Sequence, residues 1–407
     1  MSDELVFEAV RFERSIFSIH GDHAGPSLVF IAGMHGNEAS GVEALKELGE
    51  ELSALRPHLH GAIHAISGNL GALNASKRFL HSDLNRIWSS TRVKEIRDGT
   101  FLPVVPEERE QVELLRLIDT IIAEEGGPYY FMDLHSTSSE TIPFIVMNDS
   151  LLNRNFTQNY PLPIVLGIEE YLEGPLLSYI NELGYVAFGF EAGQHDAPNA
   201  VIYQKAFARL TIGLCGSFAP RVFSAETAHE VLLKASEGVG SFYEIFYRYQ
   251  IKENESFSMH PGYLNFQRIS VGQRLAMSDG KPIYATINAR VFMPLYQSQG
   301  EEGFFAIRSV PVLFLRLSAF LRTLKVDRIL ALLPGVKWTS ESRDSLLVNR
   351  KIARFFTKQF FHLLGYRSRL RDKDYYIMKS REAASKRKVY KRAPWASSMP
   401  STGARSI

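Results

Sequence analysis

Cysteine is almost missing from this sequence: Cys215 is the only one in 407 residues, which excludes an intramolecular disulfide and any multi-thiolate metal site. It stands in the apolar run LTIGLCGSF and reads as a small buried hydrophobe. Long hydrophobic runs are missing too. No stretch approaches the roughly 18 uninterrupted apolar residues of a membrane span, so an integral membrane protein is not expected. The first residues, MSDELVFEAVRFERSIF, lack the positive charge and continuous apolar segment of a secretory signal, and the chain is expected to be cytoplasmic. What is present is ordinary for a globular protein, 45% hydrophobic and 22% charged, and the length favours two domains or one with a sizeable appendage.

A net charge of +2 conceals an asymmetry: residues 308–407 carry 23 Lys/Arg against 6 Asp/Glu, whereas residues 1–307 carry 23 against 38. The two parts are therefore read separately. In the first, LVFIAGM at residues 28–34 has strand length and is followed by NEASGVEALKELGEELSALR with helical spacing. The alternation recurs through HGAIHAIS, EEREQVELLRLIDTIIAEE, YYFMDLH, PFIVMN, YVAFGFEAG and VIYQKAFARLTIGLCGSF. This predicts an α/β fold, a mixed, largely parallel sheet flanked by helices, over residues 1–250. A helical stretch is expected from about Thr227 to Tyr249, then a smaller β domain at 251–309, where turn signals come at short intervals. Residues 310–380 read as a basic helical extension and 381–407 as a disordered tail.

In an open α/β sheet, ligands bind beyond the carboxyl ends of the strands. Three polar clusters fall there: MHGNE, HST and EAGQH. His35 and Glu38, at i and i+3 after a strand, are candidate metal ligands, with Gly33 and Gly36 letting the backbone bend around them. A lone H-x-x-E is common by chance. The weight comes from His135 at a second strand end as third ligand, which leaves one position for water. Asp133, two residues before it, points to the same strand face and reads either as a carboxylate fixing an imidazole or as a structural loop cap.

These residues carry a likeness. The run GMHGNEASGVEAL, then NASKRFLHSDLNRIW, DLHST and GFEAGQH, with HPGYLNF and MPLYQSQGEEGFFAIR further on, resembles the succinylglutamate desuccinylase and aspartoacylase family of the zinc carboxypeptidase superfamily, over about residues 25–308. The resemblance implies one zinc on His35, Glu38 and His135. It implies Arg78 as the group that polarises the scissile carbonyl, Asn85 and Arg86 as the pair holding a substrate carboxylate, and Glu191 as general base and acid. The implied reaction is hydrolysis of the amide of a small, anionic N-acylated amino acid. A metallocarboxypeptidase or peptide amidase, and a non-enzymatic metal-binding scaffold, are the competing readings. Pocket closure by the β domain would exclude peptides. The aspartoacylase branch has an arginine shortly before its catalytic Glu, and residues 171–190 here contain none; a tyrosine of that branch aligns with Phe304. A monocarboxylate or a different acyl amino acid therefore fits at least as well as an acylaspartate as the substrate.

The basic part lies outside the likeness. Residues 310–333 set Arg316, Arg322, Lys325 and Arg328 among leucines and phenylalanines, a pattern that fits either a helix covering the globular body, the preferred reading, or one lying on an anionic membrane or a partner. KRKVYKR at residues 386–392 comes without a recognition motif, so no specific nucleic-acid binding is expected. Peripheral contact through residues 310–392 and a homo-oligomer are open expectations.

Overall fold

The computed structural model describes residues 12–397 except 241, 340–342, 350, 352–357 and 371–373. Eight strands build its centre: β1 Ser15–His20, β2 His23–Ala32, β3 His60–Ser67, β4 Tyr129–Thr137, β5 Phe144–Met147, β6 Ile164–Leu166, β7 Val186–Gln194 and β8 Phe242–Gln250. They lie in the order β1-β3-β2-β4-β7-β5-β6-β8. Of the seven pairings that join them, five are parallel, β1 on β3 and β5 on β7 being antiparallel.

The continuous apolar run of β2 follows from burial on both faces. Leu28 and Phe30 pack under the helices Ser40–Leu55 and Ala200–Cys215, through Leu45, Leu48, Phe207 and Leu210. Val29 and Ile31 face the other way, against Leu114, Ile118 and Ile121 of the helix Pro106–Glu124. Cys215 is buried in the first of these layers, as its apolar surroundings predict.

Three expectations are corrected. The helix expected to reach Tyr249 stops at Ala235, and FYEIFYRYQ becomes β8. Its buried residues Tyr243 and Ile245 have a period of two, which a helix cannot place on one face. Through β8 the main sheet continues into Glu302–Ser309, Ala289–Phe292 and Arg268–Ile269, all antiparallel, beside a separate three-stranded sheet.

Residues 310–380 are not wholly helical. They contain a four-stranded antiparallel sheet in the order Val336–Trp338, Ser345–Asn349, Tyr375–Ser380, Tyr366–Leu370, with helices at Val312–Thr323 and Lys358–Leu363. Leu346 and Val348 alternate with more exposed neighbours, a strand pattern that the basic charge obscures in the sequence.

The tail is packed as far as it is described. Tyr390 and Trp395 are buried in the main core, where Trp395 Nε1 donates to Tyr130 Oη at 2.8 Å and Tyr390 Oη accepts from Val186 N at 3.0 Å. Two aromatics with satisfied polar atoms outweigh the charged residues around them. Residues 398–407 lie outside the described part.

Buried charge joins this C-terminal part to the body. Arg322, with no exposed side-chain surface, donates from Nη2 to Asp149 Oδ2 and from Nη1 to Asp149 O, both at 2.8 Å, and to the carbonyls of His362 and Leu363 at 2.9 and 3.2 Å. Arg381 Nε donates to Glu169 Oε1 at 2.8 Å. A Cβ at Gly365, whose φ is +83°, would come within 2.9 Å of Arg322 Nε, so this position needs glycine. Arg322→Ala is expected to cost about 3–5 kcal/mol, because it leaves buried acceptors unpaired. The check is the denaturation midpoint; a variant as stable as the parent would contradict the role of this anchor.

Candidate active site

The ligand loop is shaped by its glycines. Gly33 has φ +70°, and a Cβ on Gly36 would lie 2.0 Å from the backbone of Ala72, so only glycine lets residues 33–38 pass over the helix Leu70–Asn74. Gly36 N donates to Arg78 O at 3.2 Å, tying the His35 loop to the arginine segment.

At the end of β2 the loop turns His35 and Glu38 inward. His35 Nδ1 lies 2.8 Å from Glu38 Oε1, and His135 Nδ1, from the end of β4, lies 2.9 Å from Glu38 Oε2. A ligand atom from each of the three lies within 4.8 Å of the others, all three residues being buried. The far nitrogen of each ring meets a carboxylate: His35 Nε2 is 3.2 Å from Asp83 Oδ1 and His135 Nε2 is 2.7 Å from Asp133 Oδ2. Of the two readings of Asp133, the imidazole contact is the one present. Two carboxylate-backed imidazoles and one carboxylate, all buried, form a donor set that fits zinc, with room for a fourth ligand.

Parallel pairing of β4 and β7 sets Glu191 beside His135 in register. Its Oε2 is buried without a hydrogen-bond partner among the described residues. Burial pushes this carboxyl up to about 8; His135 and Arg78 oppose the rise, and the Glu38 and Asp133 carboxylates add to it. An acid so raised, next to a cluster of metal-ligand type, is poised to exchange a proton near neutral pH.

Arg78 Nη2 donates to Asp83 Oδ2 at 3.0 Å, and its Nη1 is 3.7 Å from Glu38 Oε1. Arg86 is held by Glu302 at 3.4 Å and lies 4.0 Å from Asp83. Asn85 donates to Asp133 Oδ2 at 3.3 Å and accepts from Leu176 N at 2.9 Å. Burial alone would raise the Asp83 carboxyl; His35, Arg86 and Arg78 more than offset it and hold it well below the usual carboxylate range. Asp83 thus ties the His35 imidazole to both arginines. No role was assigned to Asp83 from the sequence, although it directly precedes Leu84, Asn85 and Arg86 in the same short run.

One cavity is lined by His35, Glu38, Arg78, Asn85, Arg86, His135 and Glu191, so the structure brings all seven sequence-derived site residues together. Its roof comes from residues 293–302, including Met293, Leu295, Gln297 and Glu302. Asn37, beside the ligand loop, donates to Gln297 Oε1 at 3.0 Å, and His195 Nε2 lies 3.3 Å from the same oxygen. His195 also meets Ser136 Oγ at 2.9 Å. These roof contacts were not read from the sequence; His195, four residues after Glu191 at the strand end, was the available signal. Phe304 does not face the cavity. It stacks on Tyr249 at 5.5 Å within the small β layer, while its neighbour Phe305, on the opposite strand face, lines the cavity wall.

The sequence profile of the succinylglutamate desuccinylase/aspartoacylase catalytic domain matches residues 24–213. The succinylglutamate desuccinylase of Serratia proteamaculans is 31% identical over 110 residues, 27% of this chain and 32% of that protein. A probable aspartoacylase of Acaryochloris marina is 26% identical over 187 residues, 44% of this chain and 58% of that protein. The chain thus spans between about three tenths and three fifths of the length of the curated relatives it matches. In solved structures, a succinylglutamate desuccinylase/aspartoacylase of Rhodobacter sphaeroides superposes with a TM-score of 0.52 at 16% identity, over 72% of this chain and 88% of that one, a likeness of fold. Residues 24–213, which hold all seven site residues, are thus similar to the succinylglutamate desuccinylase/aspartoacylase catalytic domain.

Proposed function

We propose that the chain is a zinc-dependent deacylase that hydrolyses the amide bond of a small N-acylated amino acid. The observation that carries this reading is the buried Glu191 carboxyl, raised to about 8, beside the His35, Glu38 and His135 cluster in one roofed cavity. A zinc ion on those three residues would act as a Lewis acid and lower the pKa of water. Glu191 takes the proton of the attacking water and passes it to the leaving amine, which cannot depart as an anion. Arg78 donates to the carbonyl oxygen as negative charge develops there. Asp83 and Asp133 keep the two imidazoles oriented.

Substrate size and charge follow from the walls. Residues 293–302 of the β layer line the cavity together with the His35, Glu38 and His135 cluster and narrow the space beside it, which favours small amides over extended peptides. Arg86 and Asn85 mark the end that takes a carboxylate. Elsewhere the wall sets Val146, Ile168, Leu172, Leu177 and Phe305 beside neutral polar groups such as Ser178 and Asn148, and among the described lining residues there is no lysine or further arginine to pair with an acidic acyl or side chain. A substrate with one carboxylate and an apolar acyl part fits best.

The test is amine release from a panel of N-acetyl, N-succinyl and longer N-acyl amino acids by zinc-loaded protein. Turnover is expected only on compounds with a free carboxylate, and Arg86→Ala is expected to raise KM about tenfold or more with kcat little changed. Absence of amine release across the panel, or equal cleavage of amides without a carboxylate, would count against the proposal.

A further inference from the structure

The helix Val312–Thr323 is turned inside out. Its Ser318 and Arg322 are buried, and the face opposite them carries Leu313, Leu317, Phe320 and Leu324 into solvent. At 100° per residue these four fall in a stripe about 60° wide. Leu313 is 74% exposed, and beyond the helix Ile329 and Leu332, the latter 82% exposed, add further apolar surface. The inversion has a cause on the inner side: the Arg322 guanidinium has acceptors from Asp149, His362, Leu363 and Glu382, which no leucine could satisfy. With that face committed inward, the apolar residues have only the outside. A contiguous apolar ridge of this kind on a soluble chain marks an interaction surface.

We infer that this ridge docks on the surface of an anionic lipid bilayer. Arg316, Lys325 and Arg328 are exposed in the same segment, and its one acid, Asp327, accepts a hydrogen bond from Tyr366 Oη at 2.8 Å. The C-terminal stretch of the sequence to which the ridge belongs, residues 308–407, carries 23 Lys/Arg against 6 Asp/Glu. A second copy would bring the same positive charge to the contact, so self-association through this face is opposed electrostatically. The stripe itself has no polar side chain by which a protein partner could be oriented. A bilayer needs only apolar insertion and negative headgroups, and a basic rim beside a Leu/Phe ridge supplies both. Twelve residues make a helix about 18 Å long, short of the roughly 30 Å hydrocarbon layer, and no helix among the described residues is long and apolar enough to cross a membrane. The helix therefore lies in the interface. This inference is independent of the hydrolytic chemistry.

The experiment is co-sedimentation of the full chain with vesicles of phosphatidylcholine alone and with phosphatidylserine added. Binding to the phosphatidylserine vesicles, weakened by salt, is expected. Leu313→Ser, Leu317→Ser and Phe320→Ser combined should reduce it at least tenfold, as should Arg316→Glu with Lys325→Glu. All five positions avoid the buried Arg322 anchor, and an unchanged melting curve confirms the fold of each variant. Failure to bind phosphatidylserine vesicles overturns the inference, and so does undiminished binding by the serine variant. A parent that elutes as a dimer while the serine variant elutes as a monomer assigns the ridge to a second copy and equally overturns it.

Discussion

Glu191→Gln is expected to retain its metal and its fold and to lose turnover by about 10²–10⁴-fold, the usual contribution of a positioned general base and acid. Glutamine matches the size of the side chain and can still fill the site beside His135, but it cannot accept a proton. Since the parent carboxyl is pushed up by burial, removing its charge relieves a desolvation penalty, so stability should not fall. The pH profile gives a second readout. A base works deprotonated, so kcat/KM rises as pH passes upward through the pKa of Glu191. Burial pushes that pKa from an ordinary 4.5 up to about 8, and a nearby cation would stabilise the carboxylate and draw it down. The acidic limb is therefore expected between those two values, and it should vanish from the residual activity of the glutamine variant. A variant with parental turnover, or one with an unchanged acidic limb, would remove Glu191 from the proton path.

Loss of a metal ligand is the second large effect. His135→Ala is expected to lower zinc content from about one per chain to a small fraction and to abolish measurable deacylation, because neither His35 nor Glu38 can complete a three-ligand site without it. Chelation of the parent should do the same reversibly, with zinc restoring activity. Stability should move with occupancy. A ligand present at about 100 times its Kd stabilises the folded chain by about 2.7 kcal/mol, and that is lost on chelation. Metal content, thermal midpoint and amine release measured on one preparation separate the outcomes. Full activity after complete removal of divalent ions would refute the metal role. An unstable His135→Ala variant can be replaced by Asp133→Asn, which keeps the ligands and disturbs only the orientation of the ring; a reduction of about 10–100-fold in metal affinity or activity is expected.

Much of the site was legible in the sequence because its parts are short motifs attached to strand ends. Gly33 and Gly36 announce a tight passage, His35 and Glu38 follow within it, and the apolar β4 and β7 each end in the polar residues that matter. Alternation of apolar strands and amphipathic helices then sets the parallel order that brings those ends to one edge. Asp83 was harder to recognise. Its partner His35 is 48 residues away, and only the contact between their side chains distinguishes it from a surface ion-pair residue.

The C-terminal part shows the limit most clearly. Period and composition identified residues 310–333 as helical, apolar and basic, and those properties act over a few neighbouring residues. Which face of that helix would turn inward depended on Asp149, 173 positions away, and on Glu382, 60 positions away. A buried guanidinium goes where its acceptors are, since leaving it unpaired costs more than exposing several leucines. The sequence by itself therefore determined the strands that carry the site, β2, β4 and β7, and the residues proposed as metal ligands and proton carrier. Tertiary structure alone decided the roof over the cavity, the packing of Tyr390 and Trp395 and the outward apolar ridge, because each depends on partners that no local pattern can specify.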